Sequence, residues 1–211
     1  SRNLAQLAQE LSELIEIVLL HKVEIRFAKK DFSRGKWDKK VEFEPCENIC
    51  LFSGGVDSST GILSCAEHYK ELCGVFIAHA DQPWIIHIVN FLIKKIQKKH
   101  NINLYTIHAP PMMSEGYSQL RGFLYIALAS IYANLLQSKR ILVTECGVTM
   151  YQPRFSPFDT ITMTTHPFVM KKAKTIIQLL LNRDIEIVTP FENLTKAEIA
   201  LLSTMPELFK D

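Results

Sequence analysis

Residues 53–59, SGGVDSS, place hydroxyl groups, two glycines and a carboxylate directly after a short apolar run. The glycines allow the backbone to turn sharply and to point N–H groups inward. The helix predicted to follow adds unpaired N–H donors and a partial positive charge at its start. Such donors suit a polyphosphate, and the residues that we expect to bind it are Ser53, Gly54, Gly55, Val56, Asp57, Ser58 and Ser59.

The carboxylate of Asp57 is out of place in an anion site unless Mg²⁺ bridges it to the phosphates or unless it caps the helix. The spacing matches neither the Walker pattern G-x-x-x-x-G-K-[ST] nor the dinucleotide pattern G-x-G-x-x-G. A plain glycine turn with an aspartate cap is the structural alternative, and the density of hydroxyl groups favours the phosphate site.

Two basic residues are candidates to bind the same nucleotide. Lys196 opens the last predicted helix, where a point charge suits a phosphate; its alternative role is a solvated surface lysine. Arg121 begins a long apolar helix, where it binds phosphate or a substrate carboxylate, or is a simple helix-start arginine. We therefore assign catalytic roles to Asp57, Lys196 and Arg121.

A second group of candidates lies after the fourth predicted strand, where residues 146–166 lack regular structure in the prediction, and such segments often carry function. Glu145 is a candidate for substrate binding or a solvated loop residue, and His166 precedes Pro167, so it is also a candidate helix-start residue. Cys146 is more typical of a buried thiol than of a nucleophile, because no C-x-x-C partner exists. The substrate candidates are Glu145, Gly147, Arg154, Thr165 and His166.

These residues are expected to be positioned by alternating strands and helices. Apolar runs predict strands at 48–52, 72–80, 102–108, 140–145 and 185–190. Helical periodicity predicts helices at 58–70, 84–100, 119–138, 167–183 and 195–203, the last with a capping-box spacing. The pattern predicts an α/β fold with a doubly wound, five-stranded parallel sheet, whose ligand binds at the carboxyl ends of the strands.

The first 45 residues follow a different pattern. Residues 3–20 have the spacing of an amphipathic helix, and residues 22–28 and 37–45 alternate like the strands of a hairpin. We expect a helix-and-hairpin appendage over 1–45 and a nucleotide-binding domain over 46–211 that is incomplete at its C-terminus.

The composition is that of an ordinary globular protein, with 47% hydrophobic and 22% charged residues and a net charge of +2. Such a charge gives no electrostatic case for a nucleic-acid or membrane partner. The five cysteines, an odd number without a C-x-x-C pair, indicate reduced thiols, and we expect a cytoplasmic protein.

SGGVDSS resembles the PP-loop of the ATP pyrophosphatase superfamily, which has the adenine nucleotide alpha hydrolase-like fold. The motifs LRGFLYIALASIYA, VTECGVTMYQPRFSP, TTHP and PFENLTKAEI are similar to those of the 7-cyano-7-deazaguanine synthase family. They are more similar still to the divergent relatives in bacterial defence and DNA-modification gene clusters. The resemblance covers about residues 46–205.

The resemblance implies an ATP-dependent ligase that uses Mg²⁺, releases AMP and pyrophosphate, and adds nitrogen to an adenylated carboxylate. It implies that Lys196 faces the ATP phosphates, that His79 lies where this fold binds adenine and ribose, and that Glu145 accepts two N–H bonds from a guanine-like edge. The synthases also hold zinc with four cysteines near the C-terminus; this sequence lacks that cluster, so we expect any such zinc only in a segment beyond it.

The expected partners are a deazapurine carboxylate or a protein carboxylate, with a homodimer or the subunits of a defence complex as protein partners. Two alternatives stay open from sequence. One is a PP-loop enzyme that modifies tRNA, of the thiolase or lysidine synthetase type. The other is a non-catalytic, nucleotide-binding subunit of a defence complex.

Overall fold

The computed structural model describes residues 2–29, 44–79, 83–109, 119–152 and 163–202. The helices are α1 (Arg2–Leu19), α2 (Val56–His68), α3 (Pro83–Lys99), α4 (Arg121–Leu135), α5 (Gly147–Met150), α6 (Pro167–Leu181) and α7 (Lys196–Leu201). The strands are β1 (Asn48–Leu51), β2 (Leu72–His79), β3 (Asn103–Ala109), β4 (Arg140–Leu142) and β5 (Glu186–Val188). None of the helices in these ranges is long and apolar enough to cross a membrane.

The five strands form one sheet in the order β3-β2-β1-β4-β5, and every neighbouring pair is parallel. Strand β1 is central, because Ile49 pairs with Cys73 on one side and with Ile141 on the other. The chain adds β2 and β3 on one side of β1 and then crosses to add β4 and β5 on the other. This confirms the predicted doubly wound α/β fold, and it places the switch point between β1 and β4, where such sheets bind ligands.

Helices cover both faces of the sheet, which explains why the strands read as continuous apolar runs. On one face, Ile49 and Ile141 pack in a core with residues from α4 and α6, such as Ile126 and Ile177. On the other face, the core of Cys50, Phe52 and Phe76 includes Ile62 and Leu63 of α2 and Val89 and Ile93 of α3. Alternate residues of β1 therefore face opposite layers, as the period of a strand requires.

Helix α1 packs against α6 on the outside of the first layer. Leu14 and Val18 are fully buried in a core with Val169, Ala173 and Ile176. Beside this core, the ammonium of Lys172 pairs with the carboxylates of Glu10, at 2.8 Å, and of Glu13.

The predicted hairpin is not seen in the part of the chain that the structure describes. Residues 22–29 form no strand with any described residue. They run back along α1, where the backbone N–H of Val23 donates to the Glu16 carboxylate and that of Ile25 donates to the Ser12 hydroxyl. Residues 30–43, which include most of the second predicted arm, lie outside the described ranges, so the hairpin stays a prediction.

Candidate functional site

The chain leaves β1 through a corner that only glycine can form without strain. The Phe52 N–H makes the last ladder bond, to the carbonyl of Val75 at 2.9 Å. Gly54 then has φ of +80°, and a Cβ there would lie 2.6 Å from Cγ2 of Val89. Both the left-handed backbone and the contact with α3 therefore exclude a side chain at this position.

Helix α2 begins at Val56, two residues earlier than expected, so Asp57 lies in its first turn. The N-cap residue is Gly55, and no side chain caps the helix. This rules out the alternative in which Asp57 is the helix cap. The first intrahelical bond runs from the Ser59 N–H to the Gly55 carbonyl, so the preceding N–H groups have no acceptor within the helix.

Two serines shape the inside of this corner. The hydroxyls of Ser53 and Ser58 lie 3.0 Å apart, and the Ser58 hydroxyl donates to the Gly55 carbonyl and accepts from the Ser53 N–H. The hydroxyl pair is held by the backbone rather than by another side chain. The Ser58 proton is used by the Gly55 carbonyl in this arrangement, so the exposed Ser53 hydroxyl is the one that can turn to donate to an anion.

The corner opens onto a cavity of about 400 Å³ at the carboxyl ends of the strands, within the size range of small-molecule sites. Ten predicted site residues line it, and they are Ser53, Gly55, Val56, Asp57, Ser58, His79, Arg121, Glu145, Thr165 and Lys196. Residues that follow different strands therefore line one cavity. Their chemical roles stay predictions.

Asp57 has an unusual environment on the floor of this cavity. The residue is only 8% exposed, and neither carboxylate oxygen has a hydrogen-bond partner. The ammonium of Lys196 lies 3.8 Å from Oδ1, as an ion pair without a hydrogen bond, and the lysine side chain is 66% exposed. A buried carboxylate with unused lone pairs is costly, so the site is suited to a cation or to donors that a ligand brings.

Glu145 and Cys146 lie beside Asp57. One ligand atom from each of these three residues falls within 4.8 Å of the others. Burial raises the pKa of the Glu145 carboxyl, and the charge of Asp57 raises it further, whereas Lys196 and a hydrogen bond from Thr149 oppose the shift. Two neighbouring carboxylates in a shielded position repel each other, and a divalent cation would relieve that repulsion.

Two glycines bring these groups together. A Cβ on Gly61 of α2 would lie 2.4 Å from Cβ of Thr144, so the helix approaches the end of β4 as closely as a glycine allows. A Cβ on Gly147 would lie 2.1 Å from the carbonyl oxygen of Glu192, and the Gly147 N–H donates to the Leu194 carbonyl at 2.9 Å. The first contact sets Asp57 next to Glu145, and the second holds the start of α7 beside them.

The predicted capping box at the start of α7 is confirmed. The Thr195 hydroxyl accepts from the Glu198 N–H, and the Glu198 carboxylate accepts from the Thr195 N–H at 2.7 Å. The bonds that the Thr195 N–H and the Thr195 hydroxyl donate to the carboxylate lower the pKa of the Glu198 carboxyl. They fix the first helical residue, Lys196, at the rim of the cavity.

The opposite wall of the cavity is built by β2 and α4. His79 is buried at the end of β2, and its Nε2 lies 3.1 Å from the hydroxyl of Tyr125, whose ring stacks on the imidazole. Tyr125 follows Arg121 by one helical turn, and both line the cavity. Tyr125 was not among the predicted site residues, although its spacing from Arg121 could have indicated it.

The remaining predicted site residues lie elsewhere. Gly54 shapes the corner, and the Ser59 hydroxyl is buried inside the protein without a hydrogen-bond partner. Gly147 begins the short helix α5, after β4 has stopped at Leu142, three residues earlier than predicted. His166 caps α6, with Nδ1 accepting from the Phe168 N–H at 3.3 Å. Arg154 lies outside the described residues.

The oxygen ligands present fit the Mg²⁺ that an ATP site implies. Asp57 and Glu145 offer two carboxylates near the N–H groups of α2, and the Asp57 oxygens have no other hydrogen-bond partner. Magnesium is usually held by one or two carboxylates together with phosphate oxygens. These two residues are therefore the ones that would hold it.

The sequence matches no protein-family model and no curated protein. A solved structure to which the chain is similar is that of an NMN synthetase from Francisella tularensis, with 17% sequence identity and a TM-score of 0.47. The match covers 79% of this chain and 63% of that one, so this chain spans less than two thirds of that protein's length.

Proposed function

We propose that this chain binds ATP with Mg²⁺ at the β1–α2 corner and transfers AMP to the carboxylate of a second substrate, releasing pyrophosphate. The observation that carries the proposal is the Asp57 carboxylate, which is buried at the cavity without a hydrogen-bond partner. A carboxylate in a phosphate site repels the phosphate unless a cation lies between the two groups. Glu145 at its side makes such a cation the better explanation.

The corner is suited to hold the departing pyrophosphate. The N–H groups at the start of α2 and the exposed Ser53 hydroxyl would donate to its oxygens, and the Ser58 hydroxyl could do so after turning from the Gly55 carbonyl. Mg²⁺, when bound, would neutralise the negative charge on these oxygens. The exposed ammonium of Lys196 can turn from Asp57 towards the phosphates, where it adds a point charge.

Transfer of AMP would solve a chemical problem for the second substrate. A carboxylate is a poor electrophile, because its leaving group would be oxide. When its oxygen attacks the α-phosphorus, the bond from that phosphorus to the bridging oxygen breaks and an acyl-adenylate forms. Ammonia or an amine then adds to the acyl carbon, AMP leaves, and a proton passes to solvent. The chain contributes mainly by positioning the two reactants.

We propose a deazapurine-like carboxylic acid as the acceptor, with a protein carboxylate as the alternative. The support for this finer assignment is the resemblance of the later motifs to 7-cyano-7-deazaguanine synthases. The guanidinium of Arg121 would bind the acceptor carboxylate or a phosphate, and Glu145 and Thr165 line the same cavity. His79 and Tyr125 would form the wall against adenine.

The test is an incubation of the purified chain with Mg²⁺, ammonium and ATP labelled at the α-phosphate. We expect labelled AMP and unlabelled pyrophosphate when 7-carboxy-7-deazaguanine is added, with one AMP for each amide formed and a second AMP for each amide converted to a nitrile. Release of ADP and phosphate would contradict the proposal. If AMP forms only when tRNA is present, the chain is instead an RNA-modifying enzyme. If the chain binds ATP tightly but turns over no carboxylate, it is instead a nucleotide-binding subunit.

A further inference from the structure

The group formed by Asp57, Glu145 and Cys146 contains a sulfur atom, which a plain magnesium site does not need. The sulfur and one oxygen from each carboxylate lie within 4.8 Å of one another. Cys146 is 1% exposed, and its sulfur lies 3.1 Å from the hydroxyl of Thr149. The thiol is therefore fixed beside the carboxylates rather than free to turn away into solvent.

A second observation indicates that this group is suited to bind a ligand. Asp57 is 8% exposed as a residue, and both of its carboxylate oxygens are buried without a hydrogen-bond partner although they lie next to two other potential ligands. The neighbouring Lys196 reaches Oδ1 only at 3.8 Å. Buried polar atoms are nearly always satisfied, so these lone pairs require an explanation.

The donor set favours a different cation from the one expected with ATP. Magnesium prefers an all-oxygen octahedron, whereas zinc and its neighbours accept thiolate and carboxylate together, commonly with three protein ligands and one open position. Tetrahedral zinc would bring such ligand atoms to about 3.5 Å from one another. Rotations of the three side chains that move their ligand atoms by about 1 Å would bring these atoms to that distance.

We propose that Asp57, Glu145 and Cys146 form a three-ligand site for a borderline-soft divalent cation of the zinc class, with its fourth position open to the cavity. Binding replaces the thiol proton, which passes to solvent, and needs no nucleotide. With ATP present, Mg²⁺ arrives already bound to phosphate oxygens and needs only the carboxylates. The zinc-class site thus goes beyond the proposed function and does not depend on it.

Lys196 competes with the cation in the empty protein. Its ammonium is the nearest positive charge to Asp57 among the described residues, and its side chain is 66% exposed, so it can leave without losing buried contacts. The pair it gives up is worth little at such exposure. Replacement of Lys196 by Met should therefore tighten binding of the cation.

The experiment is a titration of the purified, metal-free chain with Co²⁺ in the absence of ATP. We expect one cobalt ion per chain and the near-ultraviolet charge-transfer band of a cobalt–thiolate bond. Zn²⁺ should displace the cobalt, and an equal concentration of Mg²⁺ should not. Cys146→Ser should abolish the band and weaken cobalt binding at least about tenfold, since even an outer-sphere change costs that much.

Cys65→Ser is the matched control, because Cys65 is also buried but lies in the core that α2 and α3 form against the sheet, and it should keep the band. Asp57→Asn retains every thiol and should weaken cobalt binding by a similar factor, which decides the question if Cys146→Ser fails to fold. Cobalt binding without the band, an unchanged affinity in either site variant, or no cobalt binding by the folded chain would overturn the proposal. Adenylation is measured separately, so either result can fail while the other stands.

Discussion

The Cα of Gly61 faces the side chain of Thr144 so closely that a methyl group on it would lie 2.4 Å from Cβ of the threonine. The contact joins α2 to the residue that precedes Glu145. Asp57 lies one helical turn before Gly61, so this approach also sets the separation of the two carboxylates. A packing contact in the core therefore determines the geometry of the candidate cation site.

Gly61→Ala should lower the free energy of unfolding by about 1–2 kcal/mol. Overpacking costs about 1–3 kcal/mol, and the better helix propensity of alanine returns at most about 1 kcal/mol. Urea unfolding measures the difference. Gly55→Ala is the control, because its Cβ would lie 3.6 Å from the nearest heavy atom, and its cost should stay below about 1 kcal/mol. Equal losses of unfolding free energy in the two variants would contradict the close contact between Gly61 and Thr144.

Asp57→Asn should make the ligand-free chain more stable by about 1 kcal/mol while it lowers AMP formation at least about 100-fold. The substitution removes a buried charge that has no hydrogen-bond partner, and the lysine it leaves behind is solvated. Urea unfolding without metal and the labelled-ATP assay measure the two effects.

Asp184→Asn is the matched control for Asp57→Asn. Its carboxylate also pairs with a lysine, Lys174, at 3.3 Å, but it is 67% exposed and lies outside the cavity. We expect neither stability nor AMP formation to change in this variant. A loss of stability in Asp57→Asn would show that the carboxylate has a partner that stabilises the folded chain.

Most of the fold could be predicted because its signals are local. The apolar strands and helical periodicity gave element bounds within about two residues for most elements, and the capping box of Thr195 and Glu198 was recognised from two residues. The short helix α5 was missed, because four residues carry no periodicity. The alternation of strands and helices predicts a parallel sheet, whereas the strand order β3-β2-β1-β4-β5 is known only from the structure.

The site could be predicted only in part, because its remaining features depend on contacts between distant segments. Gly147 was predicted to bind substrate, yet its close contact with the Glu192 carbonyl already accounts for a glycine there. His166 was a candidate for substrate binding as well as for a helix start, and the structure shows the second role. The sulfur of Cys146 joins two carboxylates that no sequence pattern relates to it.

Glu145→Gln should change the pH dependence of stability. Folding raises the pKa of this carboxyl above its ordinary value of 4.5, mainly through burial and then through the charge of Asp57. The folded chain therefore holds the proton more tightly, and the resulting stabilisation is present below the unfolded pKa and lost as pH rises through the folded one. Relative to wild type, Glu145→Gln should gain stability as pH rises from the unfolded pKa to the folded one, and the difference should stay constant at higher pH.

Urea unfolding in chelator, from about pH 4 to about pH 8, measures this difference. Glu67→Gln removes an exposed carboxyl from α2 and serves as the control for loss of a surface charge. If the difference in unfolding free energy between Glu145→Gln and wild type stays constant over this pH range, the pKa of Glu145 is not raised by folding.

Leu14→Ala tests whether α1 belongs to the same folding unit as the sheet. Leu14 is fully buried against α6, so its truncation should cost about 2–5 kcal/mol in the main unfolding transition. Leu4→Ala, on the same helix at 48% exposure, should cost much less. If α1 were an independent appendage, Leu14→Ala would leave the main transition unchanged, as followed by near-ultraviolet circular dichroism.

Lys196→Ala should separate catalysis from stability. The lysine is 66% exposed and reaches Asp57 only at 3.8 Å, so its loss should change the free energy of unfolding by less than about 0.5 kcal/mol. If the ammonium neutralises phosphate charge, AMP formation should fall by about 100- to 1,000-fold. Lys174→Ala breaks a shorter ion pair, at 3.3 Å, away from the cavity, and should leave turnover intact. Equal turnover in the two variants would mean that the position of Lys196 at the rim of the cavity has no part in the reaction.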